Sequence, residues 1–195
     1  VVSLICLLLA VLAMPRAVVH AGEVLYSSKE FAKLDTFEAL AVQDADKLFG
    51  KGDYPGAYAA YKAYTIEFAQ GRALPYVLLR MGRCLHLVDK RNTAIKAYQD
   101  VVDYFPNDVK YAAAALYYIG VCHRQNGNEE KALAAWAKLV KDKDYVQEPR
   151  SGTALVALSR AMAERGDHAE ATRYHWRAAV AFAKSNPDAS RAARD

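Results

Sequence analysis

Cysteine and histidine are the residue types in this chain that could carry catalytic or metal chemistry. Cys84 precedes His86 by two positions and Cys122 stands next to His123, so each pair has the types of a thiol nucleophile and its base. Residues one or two positions apart on a helix do not face each other, and no two histidines have the i, i+4 spacing of a zinc site. We therefore predict no catalytic residue, no metal site and no cofactor.

Three arginines offer a different chemistry, which is the binding of carboxylates. Arg83, Arg124 and Arg160 can each hold a carboxylate through two parallel hydrogen bonds. Tyr76 and Tyr117 flank them, and tyrosine and arginine are favoured at the centres of protein interfaces. These residues predict a basic track that suits an acidic or C-terminal peptide segment. Ordinary solvated arginines are the alternative.

Two similar stretches, residues 75–108 and 113–146, must position these side chains. The first stretch has its key residues at Leu78, Met81, Gly82, Leu85, Ala94, Tyr98, Phe105 and Pro106. The second has residues at the same offsets, namely Leu116, Ile119, Gly120, His123, Ala132 and Trp136. This spacing matches W/L-x2-L-G-x2-Y, A-x3-F and P, the pattern of a helix–turn–helix repeat. More divergent copies occupy residues 38–71 and 152–185.

The pattern resembles the tetratricopeptide repeat (TPR) family over about residues 36–187. That resemblance implies an all-α, right-handed TPR-like α-solenoid of about four helix–turn–helix repeats. Each unit has an alanine at one place on its second helix: Ala57, Ala94, Ala132 and Ala171. Each has a small residue on its first helix as a counterpart: Ala45, Gly82, Gly120 and Ser159. The units start at residues 38, 75, 113 and 152, so the repeat period is 37 to 39 residues rather than the usual length of about 34 residues. In this they resemble bacterial envelope proteins of the Tol–Pal-associated cell-division coordinator and outer-membrane-assembly lipoprotein types.

In such a solenoid, partners lie along the concave face that the first helices of successive units form. The resemblance therefore implies a partner-binding groove, whose predicted residues are Tyr76, Leu79, Arg83, His86, Tyr117, Val121, Arg124, Gln125 and Arg160. The expected partner is a protein or peptide, with an acidic segment as the best chemical match.

Composition and the two ends of the chain add further expectations. The 195 residues are 53% hydrophobic and carry a formal charge of +4, with basic residues dispersed among acidic ones, which argues against nucleic acid as a partner. The apolar run at residues 1–14, followed by small residues before Gly22, predicts a secretory signal peptide at 1–21. An uncleaved N-terminal anchor is the alternative. Residues 22–35 form a polar lead-in, in which Ser27 or Ser28 could cap a short helical turn, and residues 188–195 are predicted to fray.

The two cysteines of the repeats occupy the same position in successive units. Equivalent positions on stacked helices lie about 8–10 Å apart, whereas a disulfide tolerates at most about 7 Å between Cα atoms. Cys84 and Cys122 are therefore predicted to be two buried thiols.

Together these features predict a non-catalytic protein–protein interaction scaffold of the cell envelope, located in the periplasm or at the outer-membrane periphery. A membrane would be met only through targeting or an envelope complex. Two alternatives stay open. One is an accessory or small catalytic domain of an envelope enzyme. The other is a structural repeat protein that self-associates through exposed aromatic residues and an uncapped last repeat.

Overall fold

The structure is a computed structural model that describes residues 23–182 and 187–192, and within these residues it contains helices and no strand. A short helix, α1 (Ser28–Phe31), precedes four antiparallel pairs, and a last helix, α10 (Pro187–Ala192), follows them. The pairs are α2 (Thr36–Gly50) with α3 (Tyr54–Glu67), α4 (Leu74–Leu87) with α5 (Arg91–Tyr104), α6 (Val109–Gln125) with α7 (Glu129–Lys141), and α8 (Pro149–Glu164) with α9 (His168–Ala181). The predicted all-α, TPR-like solenoid is confirmed. No helix in the described part of the chain has the length and apolar character needed to cross a membrane.

The helices begin and end where local chemistry favours it. The carboxylates of Asp35 and Asp53 accept backbone N–H bonds at the starts of α2 and α3, which satisfies donors that have no partner inside the helix. The turn inside a pair needs a residue with positive φ. Gly52, Gly127 and Gly166 supply it in three units, at φ values of 80°, 75° and 81°, because glycine adopts this conformation without a steric penalty.

A glycine on the first helix and an aromatic ring on the second hold the two central pairs together. A Cβ atom on Gly82 would lie 2.5 Å from Cε1 of Tyr98, and one on Gly120 would lie 2.2 Å from Nε1 of Trp136. The Trp136 indole also donates a hydrogen bond of 3.1 Å to the Tyr117 carbonyl. The small residues of the first helices therefore make room for these rings as well as for the alanines, which are themselves buried at all four positions.

The fourth unit departs from this arrangement. Its small residue, Ser159, is fully buried and donates a hydrogen bond of 2.8 Å to the Ala171 carbonyl. His175 stands at the aromatic offset and is only half-buried. Phe182 is buried instead, and its ring covers Gly152.

A short 3₁₀ turn, Tyr145–Gln147, joins the third and fourth units. Tyr145 is buried, and its hydroxyl donates a hydrogen bond of 2.7 Å to the carbonyl of Pro106. The Ser151 hydroxyl donates one of 2.8 Å to the Tyr145 carbonyl. Tyr145 therefore ties the irregular joint to the end of the second unit through its side chain and to the fourth unit through its main chain.

Cys84 and Cys122 are free and buried, as predicted. Burial raises the pKa of each thiol to about 12, so neither is a thiolate at neutral pH. Because the thiolate is the nucleophile, both cysteines behave as small core residues.

The two ends of the described chain are more ordered than their composition indicated. Ser27 caps α1 through a reciprocal pair of bonds with Glu30, as anticipated for this turn. The C-terminal tail was predicted to fray, yet Ala189 and Ser190 in α10 are buried. The Ser190 hydroxyl donates a hydrogen bond of 2.8 Å to the Ala179 carbonyl, and α10 packs on α8 and α9. Helix α10 therefore partly covers the last helix pair. The predicted signal peptide at residues 1–21 lies outside the described residues.

Candidate partner-binding groove

One face of the solenoid is formed by the first helices of the units. Helices α4, α6 and α8 are neighbours along it, and α2 joins them through Asp46, which accepts a hydrogen bond of 2.7 Å from the Tyr76 hydroxyl. We call this face the groove. It has a covered part and an open part, because residues 23–26 lie across the part near α4.

Glu23 places a carboxylate between two buried arginines of α4. Arg83 donates to it from Nε, at 3.2 Å, and from Nη2, so that both carboxylate oxygens are engaged. Arg80 donates from Nη1 at 3.3 Å. The side chains of both arginines are only 4% exposed. This is the fork-on-fork geometry that makes arginine selective for carboxylates.

The residues after Glu23 continue along the groove without regular secondary structure. Val24 is buried, and the Leu25 carbonyl accepts a hydrogen bond of 2.8 Å from Lys110 Nζ. The Tyr26 ring lies 5.1 Å from that of Tyr76 between centroids, and burial raises the pKa of Tyr26 to about 12.

A second carboxylate anchors the segment where α1 begins. Glu30 accepts hydrogen bonds from Lys110 Nζ, at 2.8 Å, and from the Tyr111 hydroxyl. Burial acts to raise the pKa of Glu30, but hydrogen bonds from Lys110, Ser27 and Tyr111 outweigh it and hold that pKa at about 2. Residues 23–31, which we call the N-terminal segment, are thus held by ion pairs near both ends, through Glu23 and through Glu30.

The N-terminal segment and the packing of α4 cover four of the nine predicted site residues. Tyr76 and Leu79 have no exposed surface, and Arg83 and His86 are buried. The other five reach the surface to different extents. Tyr117 and Val121 are half-buried, and Arg124, Gln125 and Arg160 are exposed. The structure therefore divides the predicted basic track into a covered part and an open part.

A line of hydrogen bonds connects the two parts. Arg83 Nη1 lies 3.2 Å from His86 Nδ1, and His86 Nε2 lies 2.8 Å from the side-chain oxygen of Gln125. Arginine only donates, so Nδ1 accepts and the imidazole proton sits on Nε2. Burial lowers the pKa of His86, which keeps this ring neutral at pH 7.

The open part of the groove is a cavity of about 390 Å³ between α6 and α8. Its walls combine aromatic, aliphatic and charged side chains, including Tyr117, Arg124, Trp136, Val156, Arg160 and Glu164. The guanidinium group of Arg124 lies 4.8 Å from the centre of the Trp136 ring, in the range of a cation–π contact. Across residues 23–182 and 187–192, no carboxylate comes within 4.0 Å of the guanidinium nitrogens of Arg124 or Arg160.

Glu23 and Arg80 were missed by sequence reasoning. The lead-in has no periodicity to indicate a contact, and Arg80 faces the solenoid interior on a helix that already contains Arg83. A usable signal was present, because a carboxylate in a polar lead-in is the simplest neutralising partner for two arginines three positions apart. The described residues also contain no cluster of three or more His, Cys, Asp or Glu side chains placed to hold a metal ion.

Comparisons with known proteins agree with this architecture. A family model described as "Tetratricopeptide repeat" matches residues 76–108 and 114–142. No curated protein matches the sequence. Among solved structures, "Crystal structure of MamA" has a TM-score of 0.59 at 20% identity, covering 75% of this chain and 79% of that one. "MamA MSR-1 C2" has a TM-score of 0.54 at 16% identity, covering 76% and 78%. The chain thus contains tetratricopeptide repeats in its two central units, and its described part has the fold of a tetratricopeptide solenoid.

Proposed function

We propose that this protein is a non-catalytic interaction scaffold that binds a carboxylate-bearing segment of another protein in its groove. The observation that carries the proposal is the cavity between α6 and α8. Two exposed arginines, Arg124 and Arg160, border a recess in which Tyr117 is half-buried and whose floor is formed by the buried side chains of Trp136 and Val156.

The chemistry of this cavity suits binding. Arginine engages carboxylates bidentately, and arginine, tyrosine and tryptophan are the residue types that contribute most at protein interfaces. The contact with Trp136 limits the motion of Arg124, so less rotamer entropy is lost when a partner binds. The residues that line the cavity offer cations, rings and the carboxylates of Glu129 and Glu164 rather than a nucleophile beside a base, which favours a scaffold over an enzyme.

We also propose that the scaffold works in the cell envelope, in the periplasm or at the outer-membrane periphery. The apolar run of residues 1–14 and the small residues before Gly22 support this. The repeat period of 37 to 39 residues supports a relation to the Tol–Pal-associated or outer-membrane-assembly types. Sequencing the N-terminus of the protein from fractionated cells tests the location. A chain that begins at Gly22 in the periplasmic fraction is expected, and a cytoplasmic chain that keeps residues 1–14 would contradict it.

The groove is tested with charge reversals at its open part. Arg124→Glu and Arg160→Glu should weaken binding of the protein's partner by about thirtyfold or more when both are present, as for loss of interface hot spots. Arg173→Glu is the matched control, because Arg173 is exposed on α9, away from the groove.

Proteins retained from an envelope extract by the unaltered chain are identified by mass spectrometry, and their affinities for the variants are then measured. A partner that binds Arg124→Glu/Arg160→Glu as tightly as Arg173→Glu does not use this cavity, and the proposal fails.

A further inference from the structure

We propose that the N-terminal segment, residues 23–31, is a ligand for the groove carried by the protein itself, and that it masks a second binding subsite around Arg80 and Arg83. A partner that displaces the segment must present the same chemistry. That chemistry is an extended stretch with a carboxylate and an aromatic side chain three positions later, as in Glu23 and Tyr26. The inference rests on the proposed function, since it adds a subsite and a partner class to the same groove.

The charge arrangement gives the first reason. Two guanidinium groups with 4% exposed side chains need carboxylates nearby, because a buried cation without a partner is strongly destabilising. Arg80 also lies 3.6 Å from Asp46, a residue of the solenoid itself. In the described part of the chain, Glu23 is the carboxylate that reaches Arg83. The subsite is therefore complete only when something brings a carboxylate to it.

The manner of binding gives the second reason. Residues 23–27 have no regular secondary structure, and they contact the groove as a bound peptide would. One carboxylate enters the Arg80–Arg83 pair, a main-chain carbonyl accepts from Lys110, and the Tyr26 ring packs on Tyr76. A main-chain contact of this kind supplies affinity, while side-chain pockets supply specificity.

The segment also contributes little to the buried core. Within residues 23–31 only Val24 is buried, α1 contains no buried residue, and Leu25 is 64% exposed. Elements with few buried apolar contacts open at low free-energy cost. The N-terminal segment can therefore leave the groove while the helix pairs, whose core receives only Val24 from it as a buried residue, stay folded.

A tethered ligand competes with any ligand that arrives from solution. Its effective concentration is on the order of millimolar for a short connection, so a free segment of the same type binds the unaltered protein weakly. Weakening the tethered copy should expose the subsite and raise the affinity for the free copy.

The test uses the full-length chain and a synthetic, fluorescently labelled peptide of residues 23–34. The variant Glu23→Gln/Tyr26→Ala should bind this peptide at least about tenfold more tightly than the unaltered chain, because the tethered competitor has lost its charge and its ring. Leu25→Ala is the matched control, since that side chain is mostly exposed, and it should bind the peptide as weakly as the unaltered chain. A peptide in which Gln replaces Glu23 should lose most of this gain in affinity for the Glu23→Gln/Tyr26→Ala variant.

Hydrogen exchange of the unaltered chain provides a second measurement that does not depend on the variant folding. A large excess of peptide should speed exchange of the chain's own amides at 24–31 and leave those of α4–α7 unchanged. Equal peptide affinity for the variant and the unaltered chain, or no change in exchange, overturns the proposal. A doubled mass in light scattering would also overturn it, because the segment would then belong to a second copy.

The two proposals fail separately. Arg124→Glu/Arg160→Glu should leave binding of the 23–34 peptide to the Glu23→Gln/Tyr26→Ala chain within about twofold, because the residues that hold Glu23, Leu25 and Tyr26 are different from those that line the cavity. If Arg124→Glu/Arg160→Glu loses the protein partner and the Glu23→Gln/Tyr26→Ala chain does not bind the peptide, the proposed function stands and the masked subsite is rejected.

Discussion

The hydrogen bonds of His86 show how one neutral ring organises charged neighbours. Its Nδ1 accepts from Arg83 and its Nε2 donates to Gln125, while Arg91 Nε also donates to the same oxygen of Gln125 at 3.2 Å. A second proton on the ring would remove the acceptor that Arg83 uses. It would also add a positive charge beside the guanidinium groups of Arg83 and Arg91. The arrangement therefore requires the neutral form.

This requirement predicts a dependence of stability on pH. The folded-state pKa of His86 is lowered by burial, so its contribution to stability is present above the unfolded value of about 6.5 and is lost as pH falls below it. Urea unfolding at pH 7.5 and 5.5 should show a larger loss for the unaltered chain than for His86→Gln. The exposed His168→Gln variant should behave like the unaltered chain. Identical losses in all three would show that His86 does not titrate in this way.

Glu30 makes a second prediction, in a more acidic range. Its pKa of about 2 lies below the ordinary value of 4.5, so the stability it contributes is present above about pH 4.5 and is lost as pH falls towards 2. Its side chain is 26% exposed and that of Lys110 is 39% exposed, so solvent screening limits the effect to on the order of 1 kcal/mol.

Thermal unfolding of Glu30→Gln and the unaltered chain measures this contribution. The difference between them should be greatest above pH 4.5 and should shrink at pH 2. A constant difference across that range would show that the Glu30 contacts in the structure do not form in solution.

At the scale of the helix pair, the close approach of a glycine and an aromatic ring fixes the geometry. Gly82→Ala and Gly120→Ala should each lower the free energy of unfolding by about 1–3 kcal/mol, because the new methyl group overlaps Tyr98 or Trp136. Gly50→Ala is the control. Gly50 ends α2 with no atom within 4 Å of the added Cβ, and alanine is the better helix former by up to about 1 kcal/mol. Equal losses in all three would rule out the packing explanation.

The sequence predicted the helix pairs because their determinants are local. The offsets of Gly82, Ala94 and Tyr98 recur within one unit, and the structure places each unit's helices accordingly. The sequence did not predict which groove residues stay accessible. Their accessibility depends on Glu23 and Tyr26, which contact residues 60 and 50 positions further along the chain. The chemistry inferred for the groove was an acidic segment, and an acidic segment of this same chain occupies part of it.

For the whole molecule, the joint between the third and fourth units decides whether the solenoid unfolds as one body. In a linear array each unit contacts only its neighbours, so stability depends on the interfaces between them. The Tyr145 hydroxyl bonds to Pro106 at the end of the second unit, and its main-chain carbonyl accepts a bond from Ser151 in α8. Removing the buried ring and its hydroxyl should weaken this joint more than any other part of the fold.

Tyr145→Ala should therefore uncouple the last unit. We expect a loss of about 3–5 kcal/mol, as for other large buried aromatic side chains, and faster hydrogen exchange in α8 and α9 than in α2–α5. Tyr145→Phe keeps the ring and should cost about 1 kcal/mol. Uniform acceleration along the whole chain in Tyr145→Ala would indicate a fully cooperative solenoid.

The docking of the N-terminal segment has a consequence for the order of folding. Its anchors lie far along the chain, with 60 positions between Glu23 and Arg83 and 85 between Leu25 and Lys110. Closing loops of this length costs more entropy than forming a helix pair, and contacts distant in sequence form late. Residues 23–31 should therefore be among the last to reach their final position, after α6 has formed. Until then Arg80 and Arg83 are accessible to any acidic segment nearby. A partner present while the chain folds therefore meets an unoccupied subsite, whereas a partner that arrives later must first displace the segment.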